Sequence, residues 1–131
     1  MPFEEREVDK SFYNEHLADW LPDKMIDIHT HVWLKSFFEK TSVQSRGAKW
    51  PRLVAEDNPI EDLLRTYELM FPQQEVTPLV FGSPRRGVVF ELTNGYVSQA
   101  ARQYNLPSLL VSTPEWSGQE LECRVTEGGF L

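Results

Sequence analysis

The spacing of apolar residues changes several times along the chain, and each change marks an element. Tyr13, Leu17, Trp20 and Leu21 fall at i, i+4, i+7 and i+8. That spacing predicts a helix over 11–21, with Asp9 as its N-cap and Leu21-Pro22-Asp23 as its stop. Met25 to Trp33 then reads as a strand. On strict alternation Asp27, His29 and His31 share one face, and Ile26, Ile28 and Val32 share the other, which wants a helix layer. From Lys35 to Asp57 no period holds. Phe37 and Phe38 imply some burial, Thr41 to Gly47 reads as a polar loop, and the whole stretch reads as a long insertion at the end of the first strand.

Asn58-Pro59-Ile60-Glu61 predicts a helix start, with Asn58 as N-cap, Pro59 in the first turn and Glu61 as capping-box partner. Ile60, Leu63, Leu64, Tyr67 and Phe71 supply its apolar stripe, and Pro72 ends it. Val76 to Gly82 predicts a second strand with Pro78 near its start. A helix over roughly 94–104 follows, capped by Thr93 or Asn94 and ended by Asn105-Leu106-Pro107. Ser108 to Ser112 predicts a third strand. Ser117 and Glu120 form a second capping box, opening a helix through Leu121 and Val125 that stops near Gly128-Gly129.

This order, a leading helix and then strands alternating with helices, predicts an α/β fold with a parallel sheet. Composition agrees: of 131 residues, 40% are hydrophobic and 25% charged, as in a globular domain. The net charge of −7 argues against nucleic acid and anionic membrane surfaces, because no basic stripe exists to neutralise phosphates. One cysteine, Cys123, excludes an intramolecular disulfide, and on its helix it reads as a small buried hydrophobe. The charged opening lacks the apolar core of a signal peptide, and no apolar run is long enough for a bilayer, so a cytoplasmic location is expected.

One motif carries chemistry. His29 and His31 stand two apart near the end of the first strand, so both imidazoles point the same way and can reach one cation. Neutral imidazole suits divalent transition metals, zinc above all. Asp27 could orient a ligand without touching the metal. Strand C-terminal ends are where a parallel barrel opens its active face, and a divalent ion there activates water or polarises a carbonyl.

Met25-Ile26-Asp27-Ile28-His29-Thr30-His31-Val32-Trp33 resembles the first strand of the amidohydrolase superfamily. The likeness is greatest to the amidohydrolase-2 branch of metal-dependent hydrolases and decarboxylases. Phe12 to Pro22 is similar to the leader helix of some members, Asn58 to Gly82 to the branch's first helix and second strand, and Asn94-Gly95-Tyr96-Val97 to its next helix start. Phosphoesterases with a similar opening usually follow the pair with a small-polar, Asp-containing stretch, where this chain has Val32-Trp33-Leu34; TatD-type nucleases, which usually carry a short polar turn there, stay open as an alternative.

The resemblance implies a TIM-type barrel, a divalent metal held by His29 and His31, and a small-molecule substrate. The reaction would be hydrolysis of C–N or C–O bonds, or decarboxylation. It also implies further histidines on the fifth and sixth strands and an Asp on the eighth. A full barrel takes about 250 residues, so the chain is expected to hold only the first three βα units, as a truncated N-terminal part of such an enzyme. His16, on a polar helix face, is not expected to be a ligand. Arg85 and Arg86 could bind a substrate carboxylate, or be a solvated turn. Trp33, and Glu115-Trp116 after the third strand, could wall a pocket or simply pack.

The alternative is a non-catalytic barrel fragment. A three-stranded parallel piece has open edges and an uncovered face, so a homo-oligomer is expected, with two copies able to pool their His pairs around one metal.

Overall fold

Two parallel strands, β1 (Lys24–Val32) and β2 (Glu75–Gly82), form the centre of the molecule. The computed structural model describes residues 4–38, 55–84 and 87–131. Helix α1 (Glu7–Phe12) precedes β1, α2 (Ile60–Met70) connects the strands, α3 (Phe90–Tyr104) follows β2, and α4 (Gly118–Gly128) comes last. The class is therefore mixed α/β with parallel pairing, as the alternation predicts.

Among the described residues only β1 and β2 form a continuous ladder. The expected third strand is reduced to one parallel bridge, Val80 with Ser108. There Val80 N–H donates to Pro107 O at 3.0 Å, and Leu109 N–H donates to Val80 O at 3.0 Å. Beyond that bridge a side chain takes over from the ladder. Asn94 lies inside α3, not at its cap, and its amide faces the Val111 backbone. Its Nδ2 donates to Val111 O at 2.8 Å, and Val111 N–H donates to its Oδ1 at 3.0 Å. On the far side of this segment Leu131 N–H donates to Ser108 O at 3.0 Å.

The core lies on one face of the sheet, where Val32, Ile60, Val80, Val97, Ala100 and Ala101 are buried together. Ile60 and Val97 come from the stripes of α2 and α3, which cover that face, and Phe130 packs against the same cluster. α2 starts at Ile60, and Asn58 is not its cap. The first N–H of the helix is instead met by Tyr96, whose hydroxyl accepts from Ile60 N at 2.8 Å. α4 follows its sequence signals more closely. Ser117 Oγ accepts from Glu120 N–H at 3.2 Å, and Gly129 ends the helix with φ of 70°. Asn105 likewise closes α3 in the left-handed region.

The first helix sits earlier than its apolar spacing predicts. Asp9 lies in its first turn, accepting from Arg6 N–H at 2.9 Å. The helix runs from Glu7 and widens over Tyr13–Leu17, where Ala18 N–H reaches back five residues to Tyr13 O. Tyr13 alone of the predicted stripe is buried, held by a 2.6 Å bond from its hydroxyl to Gln74, while Trp20 is exposed. Cys123 is also exposed, contrary to expectation, because its position on α4 faces away from the core. Beside it Glu127, as hydrogen-bond acceptor and negative charge, pushes the thiol above its ordinary range.

Candidate metal-binding site

β1 does not alternate strictly, and the departure decides where its polar residues go. Lys24 to Asp27 pair with Glu75 to Pro78, but Thr30 to Val32 pair with Val80 to Gly82. Ile28 and His29 together therefore stand opposite Leu79, which makes a one-residue bulge. Pro78 sits at its edge, opposite Asp27, and has no N–H to give to the ladder. The bulge is closed by the side chains flanking it. Asp27 Oδ1 accepts from His29 N–H at 3.1 Å, and the Thr30 hydroxyl donates to Leu79 O at 2.7 Å.

The extra residue reverses the faces. Asp27 now points toward the helix layer, with Thr30 and Val32 in its register, and its Oδ2 accepts from the Tyr67 hydroxyl of α2 at 2.8 Å. Ile26 and Ile28, expected beneath the helices, lie on the opposite face at 70% and 73% exposure. Asp27 is thus not beside the imidazoles. It reaches His29 only through the backbone.

His29 and His31 do come together on the open face. Their Nε2 atoms lie 3.2 Å apart, with ring centroids 5.0 Å apart in an edge-on arrangement. Phe81 of β2 packs against both rings, at 5.3 and 4.4 Å. His31 Nδ1 lies 3.0 Å from Gly82 O. A carbonyl oxygen can only accept, so Nδ1 carries the proton and the neutral ring keeps its basic nitrogen at Nε2. His29 Nε2–H then donates to it.

The distance tests whether a metal ion fits the pair. Two nitrogens each about 2.0–2.1 Å from a tetrahedral zinc lie about 3.3–3.4 Å apart, close to the observed 3.2 Å. The pair matches one edge of such a site. The edge is not a whole site, because among the described residues no three His, Cys, Asp or Glu side chains converge to hold an ion.

The strand end carrying the pair is clamped by Asn58, which the sequence presents as a helix cap. Its amide donates to His31 O at 2.9 Å, and its backbone exchanges two bonds with Trp33, of 3.1 and 2.7 Å. Trp33 is half-buried in this clamp, with its indole nitrogen out of solvent. The segment leaving β1 is tied at its far end too: Lys35 N–H donates to Asp57 at 2.6 Å and Lys35 Nζ pairs with Glu56 at 2.8 Å. Phe37 O accepts from Val89 N–H at 2.8 Å, just before α3. Arg85, Arg86 and the loop from Thr41 to Gly47 lie outside the described residues. Trp116 packs between Phe90 and the Arg124 guanidinium, which lies 4.0 Å from the indole ring. His16 is exposed on the widened end of α1, beside Phe12 and Glu15.

Tyr67, Asn58, Phe81 and Gly82 are the site residues that sequence reasoning missed. Tyr67 reads as a stripe residue and Asn58 as a cap, and each does something further. Pro78 is the one sequence signal of the bulge, since a proline within a paired strand marks an irregular ladder. The chain matches no family profile, no curated protein and no solved structure. Among the described residues no helix is long and apolar enough to cross a membrane.

Proposed function

We propose that the chain carries the first-strand metal-binding limb of an amidohydrolase-like enzyme, with His29 and His31 as two ligands of a divalent ion, zinc by donor type. The observation that carries this reading is the 3.2 Å separation of the two Nε2 atoms on one exposed face, with His31 set in the ligating tautomer by Gly82 O. Such an ion, when bound, supplies Lewis acidity for hydrolysis of a C–N or C–O bond or for decarboxylation of a small-molecule substrate.

The chain's own residues do the positioning. Asp27 holds the His29 backbone at the bulge, Asn58 holds the His31 carbonyl, and Phe81 walls both rings. The strand order also supports a barrel parentage. β1, β2, the Ser108 segment and the Leu131 backbone follow one another sideways in chain order, with α2 and α3 on one face and the His pair on the other. Reaction chemistry would need ligands and substrate contacts beyond those that converge among the described residues.

Elemental analysis of the dialysed protein tests the reading. Stoichiometric zinc retained by the parent chain and lost in His29→Ala is the expected result. Zinc retained equally by both proteins would place the metal elsewhere, and none in either would remove the reading.

A further inference from the structure

Four donors close a tetrahedral zinc site, and this chain brings two of them together. The other soft donors in the sequence do not complete the set. His16 lies on the widened end of α1 and Cys123 on α4, and no group of three forms among the described residues. Asp27, nearest in sequence, is turned to the helix face and engaged by Tyr67. A second pair of the same shape would supply the missing edge.

We propose that a second copy of the chain supplies it, so that one zinc-type ion is shared by His29 and His31 of each copy across a two-fold axis. This rests on the reading of the His pair as metal ligands; four protein nitrogens fill the tetrahedron, so in the dimer the ion is structural and not catalytic. A two-fold axis through the ion relates two identical nitrogen edges. Each 3.2 Å edge matches the roughly 3.3–3.4 Å expected of a tetrahedral site. Such an interface is closed, so it stops at the dimer.

The surroundings of the pair fit the same partner. Ile26 and Ile28 lie on the His face at 70% and 73% exposure, an apolar strip beside the donors that facing copies would cover. Charge sets the condition. Two chains of net charge −7 repel each other, so the dimer depends on the ion and falls apart when it is removed.

Sedimentation equilibrium during a titration with zinc sulfate, with elemental analysis of the product, tests the inference. The expected result is a doubling of mass that saturates at one zinc per two chains and reverses on chelation. His29→Ala should weaken zinc-driven dimerisation at least tenfold. His29 is exposed, so this change leaves the core intact. Ile28→Asp, also at an exposed position, should weaken the dimer while each chain keeps its His pair.

One zinc per chain on a persistent monomer would overturn the shared site and leave the metal-ligand reading standing. No zinc bound at all would overturn both. A dimer that forms without zinc and survives His29→Ala would overturn the ion's role in assembly.

Discussion

The Tyr67 hydroxyl donates to Asp27 Oδ2 at 2.8 Å, joining the middle of α2 to the bulge of β1. The other oxygen of the same carboxylate holds His29 N–H, so one side chain is gripped from the helix layer and grips the opposite face of the sheet through the backbone. Tyr67→Phe removes the outer half of this chain and leaves the ring packing. A hydrogen bond to a charged group contributes about 1.5–3 kcal/mol, and partial solvent access puts this one at the low end. Urea denaturation should show a loss of about 1–2 kcal/mol with unchanged m-value. A change within error of zero would mean that the bond adds nothing.

Alkaline pH probes the same pair. Burial, then the hydrogen bond to Asp27 and its negative charge, push the Tyr67 phenol well above its ordinary value of 10.0. The folded chain therefore holds the phenolic proton more tightly than the unfolded chain. That contribution is fully present below pH 10 and is lost as pH rises past it, where the unfolded chain ionises first. The fall in melting temperature above about pH 10 should be less steep in Tyr67→Phe. Tyr96 and Tyr104 are shifted the same way, Tyr96 chiefly by burial, so the variant keeps part of the decline. Identical slopes in the two proteins would contradict the assignment to Tyr67.

Asn94 offers a test of the third strand. It lies buried in α3 and pairs with both backbone groups of Val111, as a neighbouring strand would. Asn94→Ala leaves that N–H and C=O without these partners, at a cost of about 1–3 kcal/mol for each group left unsatisfied in the interior. The expected loss is about 2–4 kcal/mol, with faster amide exchange at Val111 than at Val80. Unchanged exchange at Val111 would show that the loop holds its place without the side chain.

Much of the architecture was legible because its signals are local. The Ser117–Glu120 cap, the Asn105 stop and the Val76–Gly82 strand each depend on a few adjacent residues. What escaped the sequence depends on distant partners. Asn58 before Pro59 has the form of a cap, yet it is drawn off to His31 and Trp33, while Tyr96 from α3 meets the helix N–H. Thr93 and Asn94 also look like caps, but α3 starts earlier at Phe90 and buries both. In β1 the apolar alternation is clear, and one unpaired residue turns its first half over. Nothing within Met25–Trp33 announces this, because the proline beside the bulge belongs to the other strand. His29 and His31 still share a face, because both lie on the same side of the shift.

Gly82 should tolerate no side chain. A Cβ there would overlap the Thr93 hydroxyl, which belongs to a stiff, buried, β-branched residue that cannot swing aside. Gly82→Ala should destabilise the chain by about 1–3 kcal/mol, and Thr93→Ala in the same chain should restore part of it. An additive double mutant, measured by denaturant titration, would show that the two positions do not meet.

The same glycine faces the imidazoles from behind. Its carbonyl decides which nitrogen of His31 carries the proton, while its bare Cα lets α3 sit close against the strand. One residue thereby serves both sides of the sheet, spacing the helix on one and orienting the His31 ring on the other. A side chain at position 82 would therefore press on the helix layer and on the backbone that orients His31 at the same time.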